Sequence, residues 1–185
     1  RFYSHFGVDI RGIGRAFLRN VMRKGITEGA STITQQLARN LYLTPQRTYK
    51  RKIEEAILAI QIERTYSKDE ILNMYLNLIY LGEGAHGVEA AAYTYFHKKA
   101  KDLSLEESAM LAALTKSPSR LSPYKNAART VERRNTVLKK MYEAGFIDKA
   151  SYSKAVETTL AIAPFKAYEK RSEERRVGKE CIAVC

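Results

Sequence analysis

Several common kinds of functional site are missing from this sequence. Its two cysteines, Cys181 and Cys185, lie within the last five residues, and a body without cysteine has no disulfide framework, although it is compatible with an oxidising compartment. The histidines, His5, His86 and His97, are not at metal-ligand spacing, which argues against a zinc site. Because no run of about 18 apolar residues occurs, no transmembrane helix is predicted.

Basic residues outnumber acidic residues in this sequence, 32 to 20. The 185 residues, 45% of them apolar, suffice for one domain with a sizeable core. The net charge of +12 predicts a polyanionic or anionic-surface partner. A nucleic acid, a phosphorylated substrate and an acidic membrane face all meet that description. Residues 171–185 resemble the translated read-through of a sequencing adapter and are predicted to be a non-native tail.

The apolar pattern predicts an all-α domain. Apolar residues recur at helical rather than strand spacing through nearly the whole chain. Ser67 with Glu70 and Ser104 with Glu107 form capping-box patterns that start two helices, and Gly145 is a predicted helix stop. The predicted helices span residues 10–24, 31–43, 48–65, 67–80, 88–97, 104–116, 126–143 and 149–158.

The first of these helices is amphipathic. Arginines recur every four residues along one face, and apolar residues occupy the other. The arginines are Arg11, Arg15, Arg19 and Arg23, and the apolar residues are Ile10, Ile13, Phe17, Leu18, Val21 and Met22. The arginine face fits a solvated surface, a contact with anionic lipid or a contact with nucleic acid. The aromatic Phe17, with Phe2 and Phe6 nearby, modestly favours lipid.

Two polar stripes between residues 29 and 55 point most strongly to a function. The first holds Ser31, Gln35 and Arg39, and the second holds Arg47, Arg51 and Glu55, each at i, i+4 and i+8. If the segments are helical, each set lies on one helix face. Hydroxyl, amide and cationic groups beside a carboxylate suit a ligand with hydroxyls and a strongly anionic group. Each stripe alone also fits an ordinary solvated face.

Five sequence blocks, in this order and at this spacing, match a known family. They are Phe2-Tyr3-Ser4-His5-Phe6-Gly7-Val8-Asp9, Gly29-Ala30-Ser31-Thr32-Ile33-Thr34-Gln35-Gln36, Arg51-Lys52-Ile53-Glu54-Glu55, Ile71-Leu72-Asn73-Met74-Tyr75-Leu76-Asn77 with Ile79-Tyr80-Leu81-Gly82, and Lys116-Ser117-Pro118. Over roughly residues 1–160 the chain resembles the peptidoglycan glycosyltransferase domain (glycosyltransferase family 51) of class A penicillin-binding proteins and their monofunctional relatives.

The resemblance implies a lysozyme-like, two-lobed all-α fold, with a large lobe and a small membrane-facing jaw around residues 10–24. It implies polymerisation of lipid II into glycan strands, in which undecaprenyl pyrophosphate leaves and the anomeric carbon is inverted. The implied partners are lipid II, the nascent strand, an anionic membrane surface and other cell-wall synthesis proteins, with no nucleic acid. The implied location is the outer face of the bacterial cytoplasmic membrane, periplasmic or extracellular.

The resemblance also assigns roles to residues. Glu55 matches the second catalytic glutamate. Four basic residues match or adjoin the positions that neutralise the pyrophosphate, and four polar residues match those that hold the donor. The basic residues are Arg39, Arg47, Arg51 and Lys52, and the polar ones are Ser31, Thr32, Gln35 and Gln36. A divalent cation, Mg²⁺ or Mn²⁺, is allowed on the pyrophosphate with Glu55 as its candidate ligand, and no organic cofactor is implied.

One part of the family pattern is not in this sequence. The family's general base is a glutamate four residues before the phenylalanine that is Phe2 here, so it would precede Arg1, and the chain as given is expected to be inactive without it. The predicted boundaries are a glycosyltransferase domain at 1–162, truncated at its N-terminus, a linker start at 163–170 and the tail at 171–185. The alternatives are a lysozyme-like glycan-cleaving enzyme and a basic helical nucleic-acid-binding module.

Overall fold

The computed structural model describes residues 2–22, 31–42 and 48–165. These residues are largely helical, and their only β-type pairings are two isolated bridges, between Phe6 and Val8 and between Tyr80 and His86. The predicted all-α class is confirmed. The chain divides into two compact units, Arg1–Ile79 and Tyr80–Cys185. The predicted tail and Arg47 lie outside the described residues.

The described part of the first unit contains four α-helices, and every predicted site residue belongs to this unit by sequence. A short 3-10 turn, Phe2–Ser4, precedes them. The helices are α1 (Ile10–Met22), α2 (Ile33–Tyr42), α3 (Tyr49–Thr65) and α4 (Lys68–Leu78). Helix α2 packs against both α3 and α4. Its buried residues Leu37 and Ala38, with Ala59 of α3 and Ile71 of α4, form the core of this unit.

The described large apolar side chains of helix α1 are exposed. Asp9 starts the helix, because its carboxylate accepts the Gly12 N–H at 2.8 Å. Ile10 and Met22 are 79% and 81% exposed, and the described arginines of the opposite face are exposed as well. The predicted Phe17 and Arg23 positions lie outside the described side chains. Within the described ranges, no helix has the length and apolar character needed to cross a bilayer.

In the second unit, four more α-helices lie within residues 80–165, which the structure describes. They are α5 (Val88–Phe96), α6 (Leu105–Leu114), α7 (Pro123–Glu143) and α8 (Lys149–Glu157). Helix α6 packs against α5, α7 and α8, and its buried Met110 and Leu114 lie in the core. Helix α7 begins three residues before the predicted Asn126, where the backbone is kinked (φ −144°, ψ 62°).

Local capping chemistry explains the helix boundaries that the sequence predicted well. The capping boxes of Ser67 with Glu70 and of Ser104 with Glu107 are both formed. Gly145 follows α7 with φ +75°. The Gly145 amide donates to the Tyr142 carbonyl and the Phe146 amide donates to the Met141 carbonyl, as expected for a glycine stop. These boundaries are set by hydrogen bonds within a few residues, so they can be read from the sequence.

Candidate active site

Helix α2 begins two residues later than predicted, because Thr32 caps it. The Thr32 hydroxyl oxygen accepts the Gln35 N–H at 3.1 Å, and the Gln35 side-chain oxygen accepts the Thr32 N–H at 3.0 Å. This reciprocal pair is a capping box with glutamine at its third position. Ser31 therefore precedes the helix, and the predicted stacking of Ser31, Gln35 and Arg39 on one helix face is wrong.

Glu55 is a fully buried carboxylate surrounded by cations. Its side chain lies on α3 with no exposed surface. Lys52 Nζ lies 2.6 Å from Oε2, and Arg51 Nε lies 3.3 Å from Oε1. Arg39 reaches across from α2, with Nη1 3.8 Å from Oε1. A carboxylate without water is stable as an ion only with such partners, so Glu55 forms the centre of a cation cluster of Arg39, Arg51 and Lys52.

The cation cluster faces outward and carries excess positive charge. The Lys52 and Arg39 side chains are 49% and 37% exposed, whereas Arg51 is 15% exposed. Among the ion pairs of the described residues, Arg39, Arg51 and Lys52 share one carboxylate, so this cluster can bind an external anion. Lys52 Nζ also donates to Ser31 Oγ at 2.7 Å, so a hydroxyl lies directly beside the exposed ammonium. The arrangement is chemically suited to an anion that carries hydroxyl or ether oxygens.

Gln36 lies at the edge of this site and contacts α4. The Tyr75 hydroxyl donates to its side-chain oxygen at 3.3 Å. Burial raises the pKa of Tyr75, although the nearby Arg39 acts in the opposite direction. Tyr75 therefore stays a neutral hydrogen-bond donor beside the cation cluster. It belongs to a matched sequence block, but spacing alone gave no signal that it would lie near Gln36.

The structure brings together most, but not all, of the predicted residues. Ser31, Arg39, Arg51, Lys52 and Glu55 form one contiguous cluster. The polar groups of Thr32 and Gln35 are used within the protein, in the cap of α2. The donor-binding roles assigned to individual residues stay predictions, and Arg47 lies outside the described residues.

Three supporting residues were not predicted. Thr34 Oγ1 donates to Glu63 Oε1 at 2.6 Å, and Lys68 Nζ lies 2.7 Å from the same carboxylate. Glu63 and Lys68 are five residues apart on two different helices, which is not a contact spacing within a helix. Only the break between α3 and α4 brings them together.

The donor set around Glu55 does not fit a metal ion held by this carboxylate. Both carboxylate oxygens face cationic side chains, and the group is shielded from solvent. Among the described residues, no three His, Cys, Asp or Glu side chains are grouped as metal ligands. The chemistry that this part of the chain supplies is positive charge and hydroxyl groups.

Comparison with known proteins identifies the family. A family model described as Transglycosylase matches residues 1–142. The chain belongs to the transglycosylase family. Penicillin-binding protein 1A of Aquifex aeolicus is 51% identical to this chain over 168 residues, which are 91% of this chain and 23% of that protein. Penicillin-binding protein 1A of Pseudomonas aeruginosa is 51% identical over 159 residues, which are 86% of this chain and 19% of that protein.

A solved structure supports the same assignment. The crystal structure of penicillin-binding protein 1A from Haemophilus influenzae matches 82% of this chain and 19% of its own chain, with a TM-score of 0.50 and 31% sequence identity. The chain thus spans about a fifth of the length of the curated relatives it matches. The predicted resemblance to class A penicillin-binding proteins is confirmed.

Proposed function

We propose that this protein polymerises lipid II into glycan strands, and that the cation cluster holds the pyrophosphate that leaves. The observation that carries this proposal is the outward-facing excess of positive charge around Glu55, in a chain of the transglycosylase family. A pyrophosphate between lipid and sugar is ionised on each phosphate at neutral pH. When its bond to the sugar breaks, the oxygen that leaves gains further negative charge.

The residues present supply the leaving-group half of this reaction. The acceptor 4-hydroxyl forms a bond to the anomeric carbon while the bond from that carbon to the pyrophosphate oxygen breaks, and the proton of the hydroxyl passes to a general base. Lys52 and Arg39 offer exposed donors to the departing oxygen, where charge develops. Arg51 lies deeper and fixes the other side of Glu55. No step of the proposed reaction passes through a metal ion.

Glu55 acts in this proposal as a buried counter-charge. It touches neither solvent nor an open surface, so its role is to hold three mutually repelling cations in one arrangement. Such a fixed arrangement stabilises developing charge without reorganisation during the reaction. This differs from the metal-ligand role that the family resemblance allowed.

We also place this reaction at the outer face of a bacterial cytoplasmic membrane. The exposed apolar residues of α1 and the net charge of +12 support contact with an anionic lipid surface. A lipid-linked substrate is presented at such a surface. Lipid II and the nascent strand are therefore the proposed partners, and other cell-wall synthesis proteins are expected beside them.

Polymerisation of lipid II tests the proposal. The assay uses a chain that carries the family's glutamate-bearing segment upstream of Arg1. The extended chain is expected to form glycan polymer, and Arg39→Ala is expected to lower the rate about 100-fold. Lys98→Ala, which removes an ion-paired lysine of the second unit, is the control. Cleavage of finished polymer without synthesis would instead support the lysozyme-like alternative.

A further inference from the structure

Lys68 occupies an electrostatically unfavourable position, and its ammonium contacts three different groups. It is the first residue of α4, where the positive end of the helix dipole disfavours a cation. Its side chain is 19% exposed, and its Nζ donates to the His5 carbonyl at 2.6 Å and to Glu63 at 2.7 Å. The ammonium also lies 4.6 Å from the centre of the Phe2 ring. These contacts join α4, the end of α3 and the N-terminal segment.

Lys68 contacts Glu63 on one side and the N-terminal segment on the other, and both of these partners also contact the start of α2. Glu63, whose side chain is 3% exposed, accepts the Thr34 hydroxyl at 2.6 Å. On the other arm, the Gly7 carbonyl accepts the Thr32 hydroxyl at 2.6 Å. The N-terminal segment therefore holds Thr32, and the Glu63–Lys68 pair holds Thr34, two residues further along the chain.

The N-terminal segment is itself seated directly on α3. Gly7 has φ +76°, and a Cβ built on it would lie 3.0 Å from the Ala59 carbonyl carbon and oxygen. Helix α3 also carries Lys52, whose Nζ donates to Ser31, the residue just before Thr32. The segment thus fixes the start of α2 relative to the helix that presents the exposed ammonium.

We propose that Lys68 is a positioning residue for the anion site. It holds residues 5–7 against α3, and this segment in turn holds the cap of α2, so that Ser31 stays at hydrogen-bond distance from Lys52. A buried ion pair is well suited to fixing one arrangement of neighbouring elements. The inference rests on the proposed function for the identity of the anion, but its structural part is measurable without any ligand.

The first test measures binding of geranyl pyrophosphate to the chain by isothermal titration calorimetry. Lys68→Met keeps the apolar stem and removes the ammonium, and it is expected to weaken binding about three- to tenfold. Lys68→Arg is expected to restore most of the affinity because a guanidinium can donate to both partners. Lys98→Met removes the lysine of a comparable ion pair with Glu107 in the second unit and is expected to leave affinity unchanged.

A second comparison separates positioning from a general loss of stability. If Lys68 acts through the contact of Ser31 with Lys52, then Lys68→Met is expected to have no further effect on affinity in a Ser31→Ala background. Equal losses in both backgrounds would overturn the inference. Should Lys68→Met fail to fold, Thr34→Val takes its place in the same comparison, because it removes the hydrogen bond between Thr34 and Glu63.

Hydrogen exchange tests the positioning independently of the ligand. The amides of Thr32 and Gln35 are held by the cap of α2, and Lys68→Met is expected to speed their exchange while the interior of α3 stays protected. Unchanged exchange at both amides would overturn the inference even if pyrophosphate binds. If the wild-type chain binds no pyrophosphate, the proposed function fails, and the exchange rates still decide the positioning role.

Discussion

Replacing Glu55 by glutamine measures how far this carboxylate holds the cation cluster together. Glu55→Gln keeps the shape of the side chain and removes its charge. Lys52 and Arg39 are 49% and 37% exposed, so water solvates them and each ion pair loses at most about 1 kcal/mol. Arg51, at 15% exposure, stays largely out of water. Removing its ion pair with Glu55 is expected to lower the free energy of unfolding by about 2 kcal/mol, which is below the usual range for a broken buried pair.

The summed effect is a destabilisation of about 3 kcal/mol. For a chain of this length that corresponds to a fall in Tm of about 6–12 °C, which thermal unfolding followed by circular dichroism resolves. Glu143→Gln is the matched control, because Glu143 also pairs with two lysines at i−4 and i−3 but is 42% exposed. Its expected effect on Tm is small, because water solvates Glu143 and both lysines. Equal changes in Tm for the two variants would refute the reasoning.

Substitutions at Gly7, Thr32 and His5 test the supports of the site. Gly7→Ala is expected to cost about 2 kcal/mol, since φ is +76° and the Ala59 carbonyl lies 3.0 Å from the new Cβ, whereas Gly14→Ala, with no atom within 4 Å, is expected to stabilise α1 by about 0.5–1 kcal/mol. Urea unfolding measures both. Thr32→Val removes the cap of α2 and is expected to cost about 1–2 kcal/mol, while Thr32→Ser keeps the hydroxyl and most of the stability; a similar loss in both would contradict a capping role. Burial, aided by the charge of Lys68, lowers the pKa of His5 from its ordinary value of 6.5. The unfolded chain then takes up this proton first, so stability is expected to fall as the pH drops below 6.5, and urea midpoints should show a shallower fall for His5→Phe.

Features set by short-range chemistry could be predicted from the sequence. The two capping boxes and the glycine stop after α7 depend on hydrogen bonds within a few residues, so their residues are recognisable in order. The pairing of Arg51 and Lys52 with Glu55 also follows from helical spacing, at i−4 and i−3. Helix α2 starts two residues later than periodicity predicts because the Thr32 hydroxyl caps it, and periodicity does not show which residue forms the cap.

Features that depend on packing between segments could not be predicted in this way. Arg39 reaches Glu55 only because α2 packs against α3. The contact of Glu63 with Lys68 requires the chain to break between two helices at the right angle. The carbonyl of Gly7 and the hydroxyl of Thr32 are 25 residues apart in sequence. Periodicity gives the faces of each helix but not which faces meet.

The discrimination between one phosphate and two tests the central claim most directly. Calorimetry of the chain with geranyl pyrophosphate and with geranyl monophosphate holds the lipid constant and changes only the anionic group. The cation cluster is expected to bind the pyrophosphate at least about tenfold more tightly, and Arg39→Ala is expected to abolish most of that preference. Equal affinity for the two compounds, or a preference that Arg39→Ala leaves intact, would contradict a pyrophosphate site around Glu55.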